Sequence, residues 1–110
     1  MGPTKQPIPA PDQLIRQCTS ARQALALCVS LSGYSDERVA ELVGISKGHM
    51  SKIRNGSASL SPDLRLRLMF VCGNTAPLQY DAMVMGVGLA LPEQDRRAQY
   101  TAGLPDRRVA

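Results

Sequence analysis

The chain has 110 residues, which is enough for one small domain and too few for two ordinary ones. It contains no Trp and a single Phe, so its core must come from aliphatic side chains and Met, a composition that suits packed helices better than a β-sheet. The net charge of +4 at pH 7 favours a polyanionic partner but is too small to establish one.

The chain opens with a proline-rich segment. Its four prolines are Pro3, Pro7, Pro9 and Pro11. Each proline fixes its own φ and disfavours helix in the residue before it, so residues 1–11 are predicted to be a flexible, extended arm. Contact between this arm and DNA through Lys5 is the alternative interpretation.

A helical pattern follows from Asp12 to about Ser32. Apolar residues alternate at spacings of four and three: Leu14, Cys18, Ala21, Leu25 and Cys28. This spacing is typical of a helix that packs one face into a core, and a dimer seam is the second interpretation. Thr19 and Ser20 leave open a break near residue 20.

A short helix is predicted directly after Ser35. Ser35 is a favourable N-cap, and the charges of Asp36 and Glu37 suit the positive end of the helix dipole. Gly44 stands where a left-handed residue ends a helix. The side predicted to be buried consists of Val39, Ala40 and Val43.

A second short helix is predicted after Ser46, which is its N-cap, so that only a tight turn joins the two helices. Met50 and Ile53 point together toward the protein, and Asn55 and Gly56 end the helix. The opposite arc consists of Gly48, Ser51, Lys52 and Asn55, with Lys47 at its edge and His49 and Arg54 on its flanks.

The run of residues 35–56 resembles the lambda-repressor-like, Cro-type family of helix-turn-helix regulators. Ten positions fit the family pattern in register without a gap: Ser35, Val39, Ala40, Gly44, Ile45, Ser46, Met50, Ser51, Ile53 and Gly56. The resemblance extends more loosely over residues 21–88. It implies an all-α, compact five-helix DNA-binding domain, with one helix before the motif and two after it.

Two positions depart from the family pattern. Asp36 stands where the family often has an amide that touches a phosphate, and a carboxylate would repel that phosphate. Gly48 lies on the groove-facing arc, where the family often has a larger reader, so it supplies no side-chain contact.

Two further helices are predicted after the motif. The first begins with Ser61 as N-cap and Pro62 at N1, and its buried stripe consists of Leu64, Leu68, Val71 and Cys72. The second begins at Thr75 to Pro77 and continues to about Leu91 through Leu78, Met83, Val84 and Val87. This helix of residues 76–91 is a candidate dimer interface, and closure of the monomer core is the alternative. Residues 12–91 thus form the domain, and residues 92–110 are predicted to be a flexible polar tail.

The resemblance implies a sequence-specific regulator of transcription that binds double-stranded DNA and inserts the helix of residues 46–55 into the major groove. A compact domain of this kind favours a repressor of phage or mobile-element type, acting as a homodimer on a two-fold site. The base-reading candidates are Lys47, Ser51 and Lys52, which can donate to base edges. The candidates for contacts with the DNA backbone are Ser46, Gly48, His49, Arg54, Asn55 and Arg65.

The alternative function is a protein-binding antitoxin or adaptor that uses the same fold, with the helix of residues 76–91 as its partner surface. An enzyme is not expected, because no acid–base pair, nucleophile constellation or metal set follows from the spacing of the ionisable residues. Accordingly, we expect no cofactor.

The three cysteines form no C-x-x-C pair and are predicted to be buried thiols in a reducing compartment. A metal site is not expected, since His49 has no ligand partner at helical spacing. The N-terminal residues lack the apolar core of a signal peptide, and the longest apolar run is too short to cross a membrane. These features predict a cytoplasmic location.

Overall fold

The computed structural model of the chain describes residues 6–88, which form six α-helices. They are α1 Asp12–Arg16, α2 Ala21–Ser32, α3 Asp36–Val43, α4 Lys47–Asn55, α5 Pro62–Cys72 and α6 Ala76–Met85. Within residues 6–88 the only strand-like pairing is an isolated bridge between Ile8 and Asn74. The expected all-α class is confirmed, whereas the expected number of five helices is wrong.

The sixth helix arises from the break that the sequence left open near residue 20. Ser20 is the N-cap of α2, and its Oγ accepts a hydrogen bond from the Gln23 N–H at 3.1 Å. The Gln23 side chain in turn accepts bonds from the Thr19 N–H and Oγ1. These local bonds satisfy backbone donors at the start of α2, so the helical pattern from Asp12 to Ser32 divides into α1 and α2.

A serine hydroxyl caps each of the four helices α2 to α5. The N-caps are Ser20, Ser35, Ser46 and Ser61, and each accepts a bond from the N–H three residues farther along. Such a cap contributes about 1 kcal/mol. The N-caps predicted for α3, α4 and α5 are therefore confirmed, as is the predicted Pro62 in the first turn of α5.

All six helices contribute to the core, with α2 in contact with α4, α5 and α6, and α1 in contact with α6. Its fully buried side chains are the aliphatic, Met and Cys residues that the composition required, the largest being Ile15, Met50, Leu68, Val39 and Cys28. The predicted inward-facing residues of α3, α4 and α5 are buried, and Val71 is half-buried against them. Packing of these small apolar side chains thus fixes the position of α3 and α4.

Part of the expected flexible arm, residues 1–11, is anchored to the body of the domain. The Ile8 N–H donates to the Gly73 carbonyl, and the Thr75 N–H donates to the Ile8 carbonyl, both at 3.0 Å. The Gln79 amide binds both the N–H and the carbonyl of Ala10, which is buried. Residues 1–5 lie outside the described residues.

The helix predicted to continue to residue 91 ends earlier, at Met85. Gly86 adopts a left-handed conformation with φ of 73°, and the Val87 N–H turns back to the Ala82 carbonyl. Ala76, Pro77 and Ala82 pack into the domain. The four residues of the predicted apolar pattern in this helix are exposed: Leu78, Met83, Val84 and Val87. Residues 89–91 and the expected polar tail of residues 92–110 lie outside the described part of the chain.

Among residues 6–88, no helix combines the length and the apolar character needed to cross a membrane. Cys28 and Cys72 are buried and Cys18 is half-buried, and all three are free thiols. The neighbouring Cys72 thiol and burial raise the pKa of the Cys28 thiol above its ordinary value, and the Cys28 Sγ donates to the Asn74 carbonyl.

Candidate nucleic-acid interface

Helices α3 and α4 are joined by the three residues Gly44 to Ser46. The Gly44 and Ile45 N–H groups both donate to the Ala40 carbonyl, at 2.9 and 3.0 Å, which closes the end of α3. Gly44 has a φ of 88°, and Ile45 is half-buried against the core. The connection between the two helices is therefore short and fixed by backbone hydrogen bonds at one end and by the Ser46 cap at the other.

One side of α4 is buried and the other faces solvent. Met50 and Ile53 are 1% and 4% exposed and hold the helix against the core. The exposed side brings together six of the residues singled out in the sequence: Lys47, Gly48, His49, Ser51, Lys52 and Asn55. We call these six residues the outer face of α4. The predicted division of α4 into an inner and an outer side is confirmed.

Three side chains on the outer face have no partner within residues 6–88. His49, Ser51 and Lys52 take part in no side-chain hydrogen bond or ion pair with the described residues. Their polar groups are therefore free to bind an external ligand. Lys47 lies 3.9 Å from a carboxylate oxygen of Glu37, but both side chains are more than two-thirds exposed, so this pair contributes little.

Arg54 is the second predicted backbone-contacting residue that the structure engages internally, after Ser46, whose Oγ caps α4. Its guanidinium donates to the carboxylate of Asp36, and its side chain is 28% exposed. The pair joins the last turn of α4 to the first turn of α3. Asp36, which the sequence placed as a helix-dipole partner, is thus also the counter-ion of Arg54. A phosphate approaching Arg54 would meet this carboxylate as well.

Asn55 closes the C-terminus of α4. Its Oδ1 accepts hydrogen bonds from the N–H and the Oγ of Ser57, at 2.9 and 2.6 Å. Its backbone carbonyl accepts a bond from Arg22 Nη1 at 2.7 Å. The side-chain oxygen of Asn55 is therefore occupied, and only its amide nitrogen remains as a donor.

Arg65, the last of the predicted backbone-contacting residues, is held by α6. Its Nη2 donates to the Pro77 carbonyl at 2.8 Å and to Asp81 Oδ2 at 2.5 Å. The side chain is 29% exposed. A phosphate contact by Arg65 would have to displace Asp81, so the structure does not place this arginine among the available cations of the outer face.

Two further arginines stabilise the motif helices, and the sequence reasoning missed both. Arg22 of α2 caps the last carbonyl of α4, and Arg67 of α5 donates to the Val43 carbonyl at 2.6 Å, at the end of α3. Cations at the C-terminus of a helix satisfy unpaired carbonyls and suit the helix dipole. No local pattern marks these contacts, because each arginine reaches a helix end far away in the sequence.

The charge of the motif is consequently almost balanced. Residues 35–56 carry four Lys or Arg and three acidic side chains, and two of the cations pair across the helices with Asp36 and Glu37. The structure shows that most of those cations already have acceptors, which leaves Lys52 as the unpaired one within the described residues.

No group of three or more His, Cys, Asp or Glu side chains that could hold a metal ion occurs among the described residues. Comparison with protein-family models, with curated proteins and with solved structures finds no match for this chain.

Proposed function

We propose that this chain is a sequence-specific, double-stranded-DNA-binding regulator of transcription of the lambda-repressor-like class. In this proposal a homodimer places the outer face of α4 from each protomer in the major groove. It represses transcription by occupying a two-fold site, as a phage or mobile-element repressor does. The two α4 helices then lie about 34 Å apart, on one face of the DNA.

The observation that carries the proposal is the outer face of α4 itself. A short helix, held from behind by Met50 and Ile53 and joined to α3 by a tight turn, presents polar side chains that the domain does not use. Lys52 and Ser51 can donate to base edges, each good contact contributing about 1 to 3 kcal/mol. His49, Lys47 and the N-terminal N–H groups of α4 suit phosphates.

Gly48 adds a second argument for a ligand at this face. A glycine in a helix costs up to about 1 kcal/mol relative to alanine. A Cβ at Gly48 would meet nothing closer than Ser46 Oγ at 4.0 Å, so packing within the domain does not require glycine there. Close approach of a DNA backbone to the first turn of α4 explains why a side chain is absent.

Selection of bound sequences from random double-stranded DNA tests the proposal directly. We expect enrichment of a two-fold symmetric site whose half-sites are about one helical turn apart. Absence of any enrichment at low salt would remove the DNA assignment.

The base-reading assignment is tested with a pair of matched variants. Lys52→Ala is expected to weaken binding to the selected site by roughly tenfold or more and binding to random DNA much less. Arg16→Ala removes the same charge from α1, where its partner is the exposed Asp12, and serves as the control. Equal losses from the two variants on the selected site, measured by fluorescence anisotropy, would contradict base reading by Lys52.

A protein-binding adaptor or antitoxin is the second candidate, and the exposed apolar end of α6 favours it. Val84 and Met85 are 63% and 75% exposed, and the nearby Met83 and Val87 are exposed too, so this end of α6 carries an apolar patch of the kind that marks protein-binding surfaces. Sedimentation of the chain, alone and mixed with the selected DNA, separates the candidates. A dimer that binds DNA supports the regulator, whereas a monomer without DNA affinity supports the adaptor.

A further inference from the structure

A cavity of about 310 Å³ lies behind the end of α4, on the side away from its outer face. It is open to solvent on one side and is lined by α2, the C-terminus of α4, the segment that leads to α5, and the α5–α6 contact. Its apolar lining comes from Leu25, Ile53, Ala58, Leu60 and Pro77. The volume lies at the lower end of the range typical of small-molecule sites, and the mostly apolar lining is typical of them too.

Two arginines and one carboxylate supply the polar groups of this cavity. Arg65 and Asp81 pair with each other, so their charges cancel. Arg22 has no acidic partner within residues 6–88, and only its Nη1 is used, by the Asn55 carbonyl. A guanidinium has five N–H donors, so Arg22 keeps enough of them to bind both oxygens of a carboxylate. The rim of the cavity therefore carries one exposed positive charge that has no acidic partner within residues 6–88, beside an apolar wall.

We propose that this cavity binds a small monocarboxylate with an apolar body. The carboxylate pairs with the free donors of Arg22, and the apolar body lies against Leu25, Ile53 and Leu60. The charge of the ligand complements the Arg22 guanidinium, and the volume of the cavity suits one or two rings or a short alkyl chain.

The position of Arg22 links the cavity to α4. The same guanidinium caps the Asn55 carbonyl, and a Cβ at Gly56 would lie only 2.6 Å from Arg22 Nη1. A ligand on Arg22 therefore touches the group that holds the C-terminus of α4. Any effect of the ligand on DNA affinity rests on the proposed function, whereas binding itself is measured without DNA, so failure of one is distinguishable from failure of the other.

Indole-3-acetate is a suitable probe, with indole-3-acetamide and acetate as matched controls that lack the charge or the apolar body. Titrations of the full-length chain are followed by calorimetry and by amide chemical shifts. We expect indole-3-acetate to bind at least tenfold more tightly than either control. We also expect the amides of Gly56 and Ala58 to shift, while that of Gly86 stays unchanged.

Two variants locate the site. Arg22→Gln is expected to weaken binding of indole-3-acetate at least tenfold, and Ala58→Leu, which fills the cavity without changing Arg22, is expected to abolish binding. Arg16→Gln is the charge-matched control and should bind as the unmodified chain does. Because Arg22→Gln also removes a helix cap, Ala58→Leu and the comparison of acid with amide test the proposal independently of it. Equal affinity for acid and amide, or full binding by Ala58→Leu, would overturn it.

Discussion

Gly48 and Gly56 stand at opposite ends of α4, and an added methyl group is expected to act in opposite directions at the two positions. Gly48 has open space around it, so Gly48→Ala should raise the free energy of unfolding by about 0.5 to 1 kcal/mol. Gly56 has a φ of 86° and lies against Arg22, so Gly56→Ala should lower it by about 1 to 2 kcal/mol or more. Urea denaturation of both variants measures the difference.

The same Gly48→Ala variant separates stability from function. If DNA approaches the first turn of α4, the variant should be more stable than the unmodified chain and yet bind the selected site several-fold more weakly. A variant that gains stability and keeps full affinity would contradict the close approach that the glycine is proposed to permit.

The three thiols are expected to differ in reactivity toward a disulfide reagent such as DTNB. Cys18 is half-buried, whereas Cys28 and Cys72 are buried in the core. Reaction requires an accessible thiolate, so Cys18 should react first and the other two only as fast as the core opens. Cys18→Ser should lose the fast phase of the reaction. A fast phase that persists in this variant would show that α2 and α5 pack less tightly than the structure indicates.

The ends of α3, α4 and α5 were predictable from the sequence because their signals are local. Ser35, Ser46 and Ser61 each cap the helix that follows through a bond three residues away. The apolar spacing of α4 likewise placed Met50 and Ile53 inside and Lys52 outside. Both kinds of signal lie within one helical turn, so the chain elsewhere has little influence on them.

The contacts that the sequence did not reveal all join residues far apart in the chain. Ile8 pairs with the backbone beside Asn74, and the partners of Arg22 and Arg65 follow from how the helices pack. An arginine in a sequence looks equally available to solvent, to a phosphate or to a distant carbonyl. The candidate site was therefore predictable as a helix face, but not the internal use of its neighbouring cations.

The ion pair between Asp36 and Arg54 links α3 to α4 at the candidate interface, and its removal should strengthen DNA binding. Asp36→Asn removes a negative charge near the DNA and releases the Arg54 guanidinium, so affinity is expected to rise about two- to fivefold at low salt. Asp12→Asn removes the same charge from α1 and is the control.

The Asp36–Arg54 pair is partly exposed, so its removal should lower the free energy of unfolding by less than about 1 kcal/mol. Reduced affinity in Asp36→Asn would indicate that the pair is needed to hold α4 in its docking position.

Across the described domain, more of the basic side chains serve the fold than the net charge suggests. Arg22 and Arg67 cap helices, while Arg54 and Arg65 pair with acids. Because few cations remain for phosphates, the described domain by itself should give a shallow dependence of DNA affinity on salt. Binding by the full chain should still weaken linearly in log affinity against log salt concentration, by about 0.9 for each phosphate neutralised.

The clearest test of this salt dependence compares the slope for the unmodified chain with the slope for Asp36→Asn. If the released Arg54 contacts a phosphate, the slope for Asp36→Asn should steepen by about 0.9 per protomer, whereas the slope for Asp12→Asn should not change. A flat slope for the unmodified chain would contradict DNA binding altogether. Equal slopes for the two aspartate variants would show that Arg54 stabilises the α3–α4 contact and takes no part in binding the DNA backbone.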